Sequence, residues 1–171
     1  KSTLLAGLQQ ALPCVVAFTQ DDYIIGRDPT AIEARLGGRD LHPGTVDHLR
    51  LLEDVCQCLQ TAQTAQYVLI EGFAAFHDPT LFNIMDARLW IDLHWSQIYD
   101  RLRPQNQEQE DFVLKTVLVN YEQYRQSFQG RMDLVHCVDG DFSHKEALAD
   151  SLAYIKRVTQ ARCWNKPEDV Y

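Results

Sequence analysis

Apolar positions along the chain switch between a helical period and short unbroken runs, and this switching predicts the elements. Leu4, Leu5, Leu8 and Leu12 recur at helical spacing, and Pro13 ends the run. Cys14 to Thr19 is short, apolar and β-branched, which predicts a buried strand. Residues 26–44 hold four Gly, two Pro and several charges, so a long surface loop is expected there. Val46, Leu49, Leu52, Val55, Cys56 and Leu59 form the apolar stripe of a second helix. Tyr67 to Ile70 reads as a strand ending at Glu71-Gly72, and Asp78-Pro79-Thr80 opens a short helix reaching Met85. Arg88 to Leu93 is another strand. Ser96 is expected to cap a helix to about Arg103, which Pro104 breaks. Gln105 to Asp111 is polar and acidic, and Phe112 to Phe128 predicts a longer helix. Leu134 to Val138 reads as a strand, Asp139-Gly140 as a turn, and Ser143-His144-Lys145-Glu146 as a capping box opening a helix to about Gln160.

The predicted order is therefore α, β, α, β, α, β, α, α, β, α. Short apolar strands alternating with helices predict a parallel sheet covered on both faces. The pattern opens on a helix, whereas a doubly wound sheet usually opens on a strand, so a first strand is expected ahead of Lys1. No repeat, linker or low-complexity tract divides the 171 residues, and one domain spanning residues 1–171 is expected.

Composition narrows the functional classes. Apolar residues make up 46% and charged residues 23%, which excludes disorder and a collagen-like chain. No apolar run reaches the roughly 20 residues that cross a bilayer. Lys plus Arg is 16 against 24 Asp plus Glu, a net charge of −8. That balance argues against nucleic acid as the main partner, and no membrane partner is expected. The five Cys (14, 56, 58, 137 and 163) include no CxxC pair and read as buried or incidental thiols of a reducing, cytoplasmic compartment. The six His show no metal-ligand spacing. The end of the chain, about 163–171, reads as a loose tail.

Four clusters carry candidate chemistry. Lys1-Ser2-Thr3 at a helix start matches the end of the phosphate-binding pattern G-x-x-x-x-G-K-[ST]. There the Lys meets β- and γ-phosphates and the hydroxyl meets Mg²⁺. A chance Lys-Ser gives the same three letters. Gln20-Asp21-Asp22-Tyr23 follows a strand directly, where α/β sheets bind ligands, and one carboxylate could accept a hydroxyl proton; a solvated, capping turn is the plainer reading. Glu71 ends an apolar strand, where a carboxylate is costly unless it is paired or at the rim. At the rim it would hold a Mg²⁺-bound water or a substrate hydroxyl, and Gly72 would let the backbone approach a ligand. Arg101, Arg103 and Arg125 flank the polar stretch, as phosphate clamps or as solvated helix faces.

Together these pieces resemble nicotinamide riboside kinases, within the wider uridine kinase-like group of P-loop kinases. The likeness rests on Lys-Ser-Thr, then Gln-Asp-Asp-Tyr, then Ile-Glu-Gly-Phe, with Gly72-Phe73-Ala74-Ala75-Phe76-His77-Asp78-Pro79 and the late Val138-Asp139-Gly140. It runs from Lys1 to about Arg157. The resemblance implies a P-loop NTPase-type parallel five-stranded sheet flanked by helices, with the first strand and glycine loop preceding Lys1. It implies a flexible lid at about 104–112, ATP and Mg²⁺, and a nucleoside 5′-hydroxyl as acceptor. Carried over by position, Lys1, Ser2, Thr3, Arg101 and Arg103 bind ATP phosphates, and Ser2 and Glu71 serve Mg²⁺. Asp21 is the catalytic carboxylate, with Asp22, Tyr23, Asp47 and Glu71 beside the substrate. Two departures stand out. Val46 occupies a place the family fills with an aromatic, and the lid reads Gln105-Asn106-Gln107-Glu108-Gln109-Glu110-Asp111, rich in acids. The alternatives are a uridine kinase-like or other small-metabolite kinase, and a catalytically inactive kinase-fold binding subunit.

Overall fold

The computed structural model describes residues 1–25, 42–62, 64–102 and 104–164, with side chains described as far as residue 161. Arg103, most of the expected 26–44 loop, the Cys163 side chain and the tail from residue 165 lie outside the described residues.

The N-terminal leucine run forms α1 (Ser2–Ala11) with Lys1 at its N-cap, and buries Leu4 and Leu8. Pro13 cannot continue the helix, and Cys14 takes a left-handed backbone (φ 50°) that turns the chain into β1 (Val15–Thr19). The Cys14 carbonyl accepts from Gln66 N–H at 2.9 Å, aligning the entry to β2 (Tyr67–Glu71). Between the two strands lies α2 (His48–Thr61), capped by Asp47, whose Oδ1 accepts from Arg50 N–H at 3.0 Å. Its buried face is Leu51 and Val55, while Leu49 and Leu59 of the expected stripe are exposed. The chain continues through α3 (Pro79–Ile84), β3 (Leu89–Asp92), α4 (Trp95–Leu102) and α5 (Gln107–Phe112). A π-helical turn, Val113–Val117, leads into α6 (Leu118–Phe128). Last come β4 (His136–Asp139) and α7 (His144–Trp164). The predicted capping box is present: Glu146 N–H donates to Ser143 Oγ, and Ser143 N–H to Glu146 Oε2 at 2.9 Å.

The expected five-stranded sheet is not what the chain forms. Among the described residues the strands make two separate two-stranded parallel sheets, β1–β2 and β3–β4. Val15 aligns with Tyr67 and Thr19 with Glu71 in the first; Leu89 aligns with His136 and Asp92 with Asp139 in the second. The result is a small α/β arrangement in which β2 and β3 do not pair. The resemblance implied five strands in one sheet, but apolar periodicity announces a strand without naming its neighbour. The strands are also half-buried along most of their length.

Packing across the sheets explains why the two ladders stay together. Leu4, Leu8 and Leu12 with Ile155 of α7 form one core, and Tyr67, Leu69, Leu89 and Ile91 pack on it. Helices α1 and α7 therefore cover one face of both sheets. On the other side, Phe18 and Ile70 pack with Tyr23, Val46, Leu51, Val55 and Leu81. Trp90 joins Phe76, Phe82, Tyr124 and Phe128 in an aromatic core. Trp90 and Phe128 stack with centroids 5.6 Å apart, and Arg131 lies 4.7 Å over the Phe128 ring. No helix of the described residues is long and apolar enough to cross a membrane.

Candidate active site

The carboxyl ends of β1 and β2 gather most of the residues singled out in the sequence. After Thr19 the chain enters a 3₁₀ turn, Gln20–Tyr23, that sends its side chains three ways. Gln20 and Tyr23 are buried, Asp21 is half-buried and Asp22 is exposed. Backbone pairing brings Asp47 alongside, because its N–H donates to the Tyr23 carbonyl at 2.7 Å and Ile24 bridges Val46 antiparallel. Asp21, Asp22, Tyr23 and Asp47 thus share one corner.

That corner is tied to the end of β2 by Gln20. Its Oε1 accepts from Ala74 N–H at 2.9 Å, and its side chain fills the space over Gly72. Gly72 therefore leaves room for the Gln20 side chain. Glu71, beside it, is 8% exposed, and Lys1 Nζ stands 3.8 Å from its Oε1. Glu71 Oε2 is buried with no hydrogen-bond partner among the described residues. Ser2 and Thr3 lie exposed in the first turn of α1, whose unpaired N–H groups favour anions. His144 Nε2 sits 2.9 Å from the Thr3 carbonyl, fixing that turn against α7.

Arg101 connects this cluster to the second sheet. Its Nη2 donates to the Gly140 carbonyl at 3.0 Å, just past β4. Lys1 and Glu71 thus pair at the end of β2, and Arg101 is anchored at the end of β4.

Other expected ligands have local structural partners. Tyr23 Oη donates to Asp54 Oδ2 at 2.8 Å, and Arg50 lies 5.4 Å over its ring. Burial first, then that hydrogen bond, raises the Tyr23 hydroxyl to about 12. One Asp47 oxygen caps α2. Arg125 pairs with Asp92 at 3.6 Å. Residues 107–112 of the expected lid are the helix α5, capped by Asn106. There Glu110 accepts from Tyr99 Oη at 2.7 Å, and Asp111 pairs with Lys115 at 2.7 Å.

Sequence reasoning missed Gln20 as a clamp and Asp54 as the partner of Tyr23. A fully polar residue directly after an apolar strand was the available signal for Gln20. Nothing in the spacing of Tyr23 and Asp54, 31 residues apart, marked that pair. Of the thiols read as buried or incidental, Cys14 and Cys137 are exposed and Cys56 and Cys58 half-buried. No group of three or more His, Cys, Asp or Glu among the described residues forms a metal-binding cluster. No family model matches the chain, and no curated protein matches it.

Proposed function

We propose that the chain is a cytoplasmic, ATP-dependent kinase that phosphorylates the 5′-hydroxyl of a nucleoside, with nicotinamide riboside as the first acceptor to test. The observation that carries this reading is Lys1 at the N-cap of α1, its ammonium 3.8 Å from a buried strand-end Glu71. A cation and a row of helix N–H groups suit phosphate oxygens, and a strand-end acid beside them suits a hydrated divalent cation. The donors present fit Mg²⁺: the Ser2 hydroxyl and the Glu71 carboxylate, whose Oε2 is buried and unbonded. Bound there, Mg²⁺ would neutralise phosphate charge.

In this reading Lys1, Ser2, Thr3 and Arg101 hold the triphosphate. Asp21, half-buried on the turn after β1, accepts the proton of the ribose hydroxyl. The hydroxyl oxygen bonds to the γ-phosphorus as the bond to the β–γ bridging oxygen breaks, releasing ADP. Tyr23 acts as a wall, since its hydroxyl is already given to Asp54, while Asp22 and Asp47 edge the ribose.

The acids of α5 favour a second reading, a binding subunit without turnover, because Glu108, Glu110 and Asp111 would repel a triphosphate closing beneath them. ADP release from MgATP with nicotinamide riboside, uridine and other nucleosides separates the readings. ADP release that depends on nicotinamide riboside, and falls strongly in Lys1→Ala at unchanged melting temperature, is expected. Lys1 is exposed at the N-cap of α1, so the variant should fold, and its melting curve verifies this. A higher kcat/KM for uridine points to the uridine kinase-like alternative. Stabilisation by MgATP with no ADP from any nucleoside supports the binding subunit, and undiminished turnover in Lys1→Ala removes the phosphate assignment.

A further inference from the structure

A cleft of about 300 Å³ opens past the end of β3, between the start of α4 and the α6 helix, and no role above uses it. Asp92, His94, Trp95, Tyr121, Glu122 and Arg125 line it. Trp95 is 57% exposed, an unusual setting for the largest aromatic side chain. Its ring lies against His94, centroids 5.4 Å apart, and Tyr121 Oη donates to the Leu93 carbonyl at 3.3 Å. The cleft is thus walled by aromatic surface held in place by the β3–α4 connection.

Its charge has a definite sign. Arg125 and Asp92 offset one another at 3.6 Å. Glu122 adds a further carboxylate, whose Oε1 accepts from the uncharged Gln126 amide at 3.0 Å. The Tyr121 hydroxyl is pushed up by burial and then by the Asp92 charge, against a smaller opposing effect of Arg125. The negative face of an exposed indole and a surplus carboxylate select the same ligand charge.

We propose that this cleft binds a quaternary ammonium group, an organic monocation whose charge is spread over methyl carbons, stacked on Trp95 with Glu122 as its counter-ion. A compact ammonium such as that of lysine keeps its water more tightly and gains less from an aromatic wall. The proposal does not depend on the kinase reading, because binding is measured with no nucleotide present.

Titration of the full chain with choline, followed by calorimetry and ligand-observed NMR, tests it. The control is the uncharged carbon isostere of choline. Choline is expected to bind with the control at least about tenfold weaker. Trp95→Ala should weaken binding at least about fivefold and Trp95→Phe much less, while Glu122→Gln weakens it about three- to tenfold. Both positions are exposed, and melting curves verify that the variants fold. A control that binds as tightly as choline, no choline binding at tens of millimolar, or a Trp95→Ala variant that binds like wild type would each overturn the proposal.

Discussion

The side chain of Gln20 occupies the space that a Cβ on Gly72 would need. A Cβ there would overlap Gln20 Cβ, Cδ and Oε1 at once, and Oε1 also holds the Ala74 N–H. One glycine and one glutamine, 52 positions apart, therefore lock the end of β1 to the end of β2. Gly72→Ala should destabilise the fold by about 2–4 kcal/mol, since Gln20 must leave and strand the Ala74 N–H. Gln20→Ala alone should cost about 1–3 kcal/mol. The double variant should be less destabilised than the sum, with a coupling of about 1 kcal/mol or more in denaturant midpoints. Strict additivity would show that the two do not share that space.

Asp21 and Asp22 are neighbours with different surroundings, one half-buried beside the strand ends and one exposed. Asp21→Asn preserves size and removes the basic oxygen, so under the kinase reading kcat should fall about 10²–10⁴-fold. Asp22→Asn should lose much less, with melting temperatures of both close to wild type. Equal losses in the two variants would dismiss Asp21 as the specific proton acceptor.

Phe76 explains the Gly72–Pro79 segment as packing. Its ring lies 5.4 Å from Phe128 and 5.6 Å from Phe82, and its N–H donates to Tyr124 Oη at 3.2 Å. Phe76→Ala should cost about 3–5 kcal/mol in urea unfolding. Tyr124→Phe removes the acceptor of that buried N–H and should cost about 1–3 kcal/mol. A Phe76→Ala loss below about 1 kcal/mol would contradict this core assignment.

The Tyr23–Asp54 hydrogen bond predicts an alkaline effect. Burial and Asp54 raise the Tyr23 hydroxyl from 10 to about 12. A phenol that is harder to deprotonate when folded contributes stability that is complete below pH 10 and is lost as pH rises through about 12. Tyr124 and Tyr121 shift the same way, so the comparison must be with Tyr23→Phe. Wild type should lose stability across that window more steeply than the variant. Parallel urea midpoints for the two proteins from pH 10 to 12 would show that Tyr23 is not responsible.

The helices with clear local grammar were legible in the chain itself. Asp78-Pro79 at the start of α3, the Ser143–Glu146 box of α7 and Pro13 after α1 act within a few residues, so the sequence alone sets them. The four described strands were legible for the same reason, as short apolar runs between breakers. The α2 face was read less well. Leu49 and Leu59 satisfy a helical period, yet the stripe that meets Phe18 and Ile70 is centred on Leu51 and Val55. Periodicity gives the presence of a face and not the rotation at which neighbours accept it.

Strand pairing, the strand-end cluster and the aromatic cleft were decided only in three dimensions. The single five-stranded sheet implied by the resemblance does not form, because pairing depends on which edges come within hydrogen-bonding reach, and here β1 meets β2 and β3 meets β4. Lys1 and Glu71 are remote in sequence, and their pairing follows from α1 packing on β2, while Arg101 is fixed at the end of β4 by the Gly140 carbonyl. The sequence determined by itself which residues bear charge and where local elements start and stop, since those depend on neighbours along the chain. Which charges meet was left to the tertiary structure, because long-range contacts depend on the packing of side chains from distant elements.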